Sequence, residues 1–192
     1  MNSKAIWLRL MRRGKAARGL ALARSLSLLL AVSSAVPAAD WLTFSHDPQR
    51  TGWAIEERKI SRETAPHLSL LWKTKVDNAS FSLSALTAPV IAENISTKGG
   101  SKTVVYVAGI SGSLFAVAAD TGEELWRYTV KNFVESRKQV YAFQGGFLCT
   151  NGITATPVID KTTNTIYIIG ADGMLYGLDL GSGFLRYGPV QF

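Results

Sequence analysis

Short runs of β-branched and aromatic residues alternate with glycine-containing turns through the C-terminal half of the chain. Residues 104–107 and 166–169 are such runs, and each predicts a β-strand. A glycine-flanked turn follows each run, at 109–112 and 170–173. Glycine tolerates the positive φ that a hairpin turn requires. The strands on either side of each turn are therefore predicted to pair antiparallel.

These strands belong to an internal repeat. Three elements recur in the same order: residues 104–117 match 165–178 at an offset of 61, residues 87–91 match 155–159 at 68, and residues 71–76 match 125–130 at 54. Each unit is predicted to hold a strand that begins after proline (Pro89, Pro157), a strand pair, and a strand such as 71–76 or 125–130 that carries tryptophan. The seven extra residues of the first copy fall in the polar stretch 94–102, which is predicted to be a loop.

Four strands in a repeat of this length indicate a blade of a β-propeller. WD repeats are shorter, at about 40–45 residues, and kelch repeats run about 50 residues. The alternative is a single antiparallel sandwich with two similar hairpins. The predicted fold class is therefore all-β: a partial β-propeller of two to three four-stranded antiparallel blades, preceded by a helical signal peptide.

The first 38 residues have the composition of a targeting segment. They contain seven Lys and Arg and no acidic residue, and an apolar run at 26–32 precedes the small residues Val36-Pro37-Ala38. This order is typical of a cleavable signal peptide, so the chain is predicted to be exported to the periplasm or the extracellular space. A mitochondrial presequence is the alternative. A membrane anchor needs about 20 apolar residues, and Arg24 leaves too few, so no stable membrane span is predicted after cleavage.

Charge outside the leader argues against nucleic acid as a partner. The chain has 21 basic and 14 acidic residues, and removing the seven basic residues of the leader leaves 14 of each sign. A domain without net charge has no overall attraction for a phosphate backbone. The domain organisation that follows is a signal peptide at 1–38, an N-terminal arm at 39–66, a first blade-like repeat at 67–130 and a second at 131–192.

Residues 116–126, Ala-Val-Ala-Ala-Asp-Thr-Gly-Glu-Glu-Leu-Trp, resemble the tryptophan-docking motif of pyrroloquinoline-quinone (PQQ) dehydrogenase propellers. The second copy, 177–187, keeps the Asp and Gly but has Tyr187 where the motif has Trp, and the first copy has Ala118 where Asp is usual. In that family the indole stacks between blades on the Ala and Gly backbone of a neighbour. The resemblance therefore implies structural docking roles for Trp72, Ala116, Gly122, Trp126, Gly177, Asp179, Gly183 and Tyr187.

Members of the family bind PQQ and calcium on the propeller axis, and many stack the quinone on a ring of two adjacent cysteines. Cys149 is the only cysteine here, so that ring cannot form. His46, His67 and Cys149 lack metal-ligand spacing, and the turn position of Glu123-Glu124 favours solvent exposure. No catalytic, cofactor-binding or metal-ligating residue is assigned.

Two functions follow as hypotheses. The first is that the chain is a fragment of an exported PQQ-binding-like propeller whose full-length parent is a PQQ-dependent alcohol dehydrogenase, with PQQ and calcium bound by the parent and none by this chain alone. The alternative is a non-catalytic propeller that serves as a binding or scaffold module. Beyond the leader, 154 residues make about two and a half units of 61, whereas a closed propeller needs about four blades. Open blade edges predict self-association.

Overall fold

The computed structural model describes residues 40–55, 57–78, 86–130 and 152–191. All of them belong to one compact unit, residues 37–192. The predicted signal peptide at 1–38 and Cys149 lie outside the described residues.

Eight strands form two four-stranded antiparallel sheets, and in each sheet the strands follow one another in chain order. The first sheet contains β1 (Val90–Thr97), β2 (Gly100–Ala108), β3 (Ser113–Ala118) and β4 (Glu124–Thr129), and the second contains β5 (Val158–Asp160), β6 (Thr165–Ile169), β7 (Met174–Asp179) and β8 (Leu185–Gln191). One short 3₁₀ helix, Ala65–His67, lies in the N-terminal arm. The predicted all-β class is confirmed: the fold is that of a partial β-propeller, with two blades among the described residues.

The two sheets repeat each other in strand register as well as in sequence. Tyr106 lies opposite Ala116 across β2 and β3, and 61 residues later Tyr167 lies opposite Gly177 across β6 and β7. All five residue pairs of the first hairpin recur in the second at this offset. Both predicted hairpin turns are present, with Gly112 and Gly173 at positive φ. The repeated sequence therefore specifies a repeated backbone.

Two predicted elements differ from the structure. The sequence predicts a loop at 94–102, but β1 extends to Thr97 and β2 begins at Gly100, so that prediction is wrong except at the two-residue turn 98–99. The polar residues there project from an extended hairpin. The sequence also predicts a strand at 71–76, yet among the described residues no strand pairs with this segment, and none is formed.

The hydrophobic core is built from the inner strands of both sheets. It includes Val90, Val104 and Leu114 from the first sheet and Ile166 and Leu178 from the second, all fully buried. Continuous burial along β3 contrasts with β8, in which every residue is exposed. The core therefore lies where the two sheets face each other, and the β8 side of the second sheet is open.

The start of the described chain links the innermost strands of both sheets. Trp41 exchanges two main-chain hydrogen bonds with Ile91 on β1, at 2.9 and 2.8 Å, and the carbonyl of Leu42 accepts a 2.8 Å bond from Ile159 on β5. The Asp40 carboxylate accepts the Glu93 N–H at 2.9 Å and pairs with Lys161 Nζ at 2.8 Å. Residues 40–42 thus act as an N-terminal staple across β1 and β5.

Within the described part of the chain, we find no helical segment with the length and hydrophobicity needed to span a lipid bilayer.

Tyr106 provides a test of how the sheets are joined. Its hydroxyl, on β2, donates a 2.9 Å hydrogen bond to the carbonyl of Leu180 in the second sheet. Burial, with a contribution from Asp179, raises the pKa of Tyr106, so the phenol stays a neutral donor. We expect Tyr106→Phe to lower the free energy of unfolding in urea by about 1 kcal/mol. Tyr167→Phe, at the half-buried equivalent position, is the control and should change it by less than about 0.5 kcal/mol. Equal losses in the two variants would contradict the assignment.

Candidate functional site at the junction of the two sheets

Trp126 joins the first sheet to the second. It lies on β4, and its indole Nε1 donates a 3.0 Å hydrogen bond to the carbonyl of Leu180, in the turn that follows β7. The ring packs on Gly183 of the same turn, so closely that a Cβ at Gly183 would lie 2.5 Å from the indole Cε3. One side chain therefore supplies both an apolar plate and a directional hydrogen bond to the neighbouring sheet.

Trp72 makes the same contact one repeat earlier. Its Nε1 donates a 2.8 Å hydrogen bond to the carbonyl of Ala119, and its ring packs on Gly122, where a Cβ would lie 2.7 Å from Cε3. The accepting carbonyls, Ala119 and Leu180, are 61 residues apart, and each precedes its glycine by three residues. The structure therefore brings two pairs of sequence-predicted docking residues together in one recurring geometry.

Both receiving turns require glycine for two reasons. Gly122 and Gly183 have φ values of +75° and +71°, a region that residues with a Cβ rarely adopt. The indole also occupies the space in which a Cβ would lie. Equivalent main-chain bonds hold the turns, from Gly122 N–H to the Ala118 carbonyl and from Gly183 N–H to the Asp179 carbonyl, each at 2.9 Å.

The remaining predicted docking residues occupy less similar positions. Ala116 lies opposite Trp126 on the adjacent strand of the same sheet, and Gly177 lies opposite Tyr187 in the same way. Tyr187 therefore occupies the third ring position of the series. Its side chain is 53% exposed, because no described residue covers the outer face of the second sheet. The ring series thus contains two engaged members and one open member.

Asp179 fixes the turn that receives Trp126. Its Oδ1 accepts hydrogen bonds from the main-chain N–H groups of Gly181 and Ser182 and from the Ser182 hydroxyl, at 2.8–3.0 Å. Oδ2 accepts Asn164 Nδ2 at 3.0 Å and lies 3.4 Å from Arg186 Nε. Partial burial opposes ionisation, but the hydrogen bonds from Ser182 and Gly181 and the charge of Arg186 outweigh it, and the pKa of Asp179 is lowered. The first copy has Ala118 here and lacks this network.

Other carboxylates with displaced pKa values also hold their own loops. Thr51 hydrogen bonds lower the pKa of Asp47, and Thr163 and Thr162 do the same for Asp160. Main-chain N–H groups of Lys59 and Ile60 lower the pKa of Glu57. Each of these carboxylates is ionised at neutral pH and accepts hydrogen bonds locally, which is the chemistry of loop capping rather than of proton transfer.

Two contributors at the junction carry no sequence motif. Asn78 Oδ1 accepts the Ser111 N–H at 3.0 Å, which fixes the arm to the β2–β3 turn. Arg127 pairs with Asp77 at 2.9 Å and with Glu124 at 3.1 Å, and its guanidinium lies over the Phe115 ring. The signal that could have identified Asn78 is its place six residues after Trp72, matched by an Asn six residues after Trp126.

The donor set around the junction bears on whether these residues suit a quinone–calcium centre. In the described ranges, no group of three His, Cys, Asp or Glu side chains is placed to hold a metal ion. A crevice of about 100 Å³ lies between the β1–β2 turn and the β7–β8 turn, lined by Lys98, Trp126 and Ser182 among others. These residues do not supply the carboxylate and amide set that calcium takes. The described residues alone therefore do not fit such a centre.

Comparison with known proteins gives one structural likeness. No family model matches the sequence, and no curated protein matches it. Among the solved structures that match, the crystal structure of BamB from Moraxella catarrhalis aligns with 51% of this chain at 23% identity and a TM-score of 0.31. The aligned part spans 24% of the BamB chain, about a quarter of its length.

Substitution of the docking glycine should destabilise the fold. In Gly183→Ala the new Cβ would displace the Trp126 ring and break its bond to Leu180. Gly173→Ala is a matched control, because Gly173 has nearly the same φ, +73°, and a methyl group added there would meet no atom within 4 Å. We expect Gly183→Ala to lower the free energy of unfolding by about 1–3 kcal/mol more than the control does. Equal losses in urea unfolding would show that only backbone strain matters here.

Asp179 predicts a specific pH dependence. Its folded pKa lies below the unfolded value of 3.8, so the ionised group stabilises the fold above that value, and this contribution is lost as the pH falls through the folded pKa. Asp179→Ala should cost about 1–2 kcal/mol at pH 7, and the gap to the unmodified protein should narrow below pH 3.8. Urea unfolding across this range measures it. The exposed Asp120→Ala is the control, and a gap that does not change with pH would refute the role.

Proposed function

We propose that this chain is a non-catalytic β-propeller module of an exported protein, with a role in binding or scaffolding. The observation that carries the proposal is the recurring indole–glycine contact. The residues that the repeat preserves most closely, Trp72 with Gly122 and Trp126 with Gly183, join one sheet to the next. The repeat thus builds a stack of sheets, and its strand edges are surfaces for other protein segments.

The side chains able to transfer protons or hold ions support the same proposal. Asp179 stabilises the turn under Trp126, and Arg127 and Asp77 hold the arm to the first sheet. Tyr176, whose pKa is raised chiefly by burial with help from Asp172, is a neutral partner of that carboxylate. Each of these groups has a structural partner within the blades.

A second candidate is the PQQ-dependent alcohol dehydrogenase parent. The sequence 116–126 favours it, because its Thr-Gly turn and tryptophan resemble the docking motif of that family. In this case the described blades would supply scaffold, and the groups that hold PQQ and calcium would come from other residues. PQQ, when bound, would supply the oxidising quinone. The basic and apolar leader supports a periplasmic or extracellular location for either candidate.

Self-association is part of the proposal. The face of the second sheet that bears β8 exposes Leu185, Tyr187 and Val190, and Val158 on β5 is also partly exposed. Exposed sheet edges and apolar faces favour pairing with other chains.

One sedimentation experiment tests both parts of the proposal. The folded chain is mixed with calcium and PQQ and sedimented at several protein concentrations, with absorbance read for protein and for quinone. We expect the apparent mass to rise with protein concentration, and no quinone to sediment with the protein above the level seen with urea-unfolded chain. One quinone per folded chain, retained only with calcium, would refute the non-catalytic module. A constant monomer mass would refute self-association.

A further inference from the structure

Trp72 docks like Trp126, but it has no sheet behind it. Trp126 belongs to β4, which pairs with β3 through the register Ala116–Trp126 and Leu114–Tyr128. By contrast, none of residues 69–75 makes a main-chain hydrogen bond to another described residue. The arm therefore has the docking contact of an outermost strand without the neighbouring strand that normally accompanies it.

Side-chain exposure shows the same deficit. Leu125 immediately precedes Trp126, is partly buried and packs against the core. Its equivalent in the arm, Leu71, is 76% exposed, and the adjacent Leu70 is 81% exposed. The main difference between the two positions is that β4 has β3 beside it. The exposed leucines thus mark the side on which an adjoining strand is missing.

The arm is held in place for such a partner. The Trp72 indole is fixed at Ala119 and Gly122, and the far end is fixed by the 2.9 Å Asp77–Arg127 pair and by the Asn78 bond to Ser111. Anchors at both ends reduce the conformational entropy that pairing would cost. Between the anchors, the main-chain groups of 73–75 bond to no other described residue, which leaves them available for a strand from outside this part of the chain.

We propose that residues 71–76 form the outermost strand of a further blade and receive it by strand addition from a partner that presents a three-stranded antiparallel sheet. The partner's edge strand carries a small residue opposite Trp72, as Ala116 and Gly177 lie opposite Trp126 and Tyr187. A second copy does not fit, because both sheets of each copy already contain four strands. This inference rests on the proposed scaffold function and names the kind of partner that it takes.

Hydrogen exchange on the full chain tests the assignment. The probe is a synthetic peptide with residues 165–179, which contains the β6–β7 hairpin and places Gly177 where a small residue is needed. We expect amide exchange across 71–76 to slow roughly tenfold at saturating peptide. Thr74→Pro should abolish this protection, because proline removes an N–H and obstructs pairing, whereas Ser69→Pro, outside the segment, should retain it. A peptide with Gly177→Trp should protect weakly.

The outcomes separate this inference from the proposed function. Protection of 71–76 that is lost only with Thr74→Pro and with the bulky peptide supports it. Absence of protection at 71–76, or protection confined to β8, overturns it. Protection that appears without peptide and grows with protein concentration also overturns it, because the partner would then be a second copy. Quinone retention in the sedimentation experiment would refute the scaffold function and leave the exchange result unchanged.

Discussion

The contact between an indole and a glycine turn organises everything that is described of this protein. A flat ring fills the space between two twisted sheets, and its N–H must find an acceptor because the site is partly buried. The acceptor is the main-chain carbonyl three residues before the glycine, in both copies. Since the turn must combine positive φ with an empty Cβ position, the sequence allows few alternatives to Thr-Gly or Ser-Gly there.

The repeat varies in length where this contact does not depend on it. The β1–β2 hairpin is seven residues longer than its counterpart, yet the register of β2 with β3 equals that of β6 with β7 at every pair. The two turns also differ chemically. Asp179 organises the second turn with its carboxylate, while Ala118 leaves the first turn to main-chain bonds and to the Thr121 hydroxyl. The backbone geometry is the shared feature, and the side chains that support it differ.

The sequence predicts most of the fold because the strands, turns and docking rings are local patterns that occur twice. The loop prediction for 94–102 fails because polar residues extend a hairpin beyond the core, where alternation carries little hydrophobic signal. The strand prediction for 71–76 fails because a strand exists only with a partner, which local sequence does not reveal. The Tyr106–Leu180 bond and the Asp40–Lys161 pair join residues 74 and 121 positions apart, so no spacing rule could have identified them.

The N-terminal staple has a consequence for the order of assembly. Residues 40–42 emerge first from the ribosome, and their bonds to Ile91 can form once β1 is made. The bond from Ile159 and the ion pair with Lys161 must wait for more than a hundred further residues. Contacts that distant in the chain form slowly, because a large loop has to close first. The beginning of the mature polypeptide is therefore completed near the end of its own synthesis.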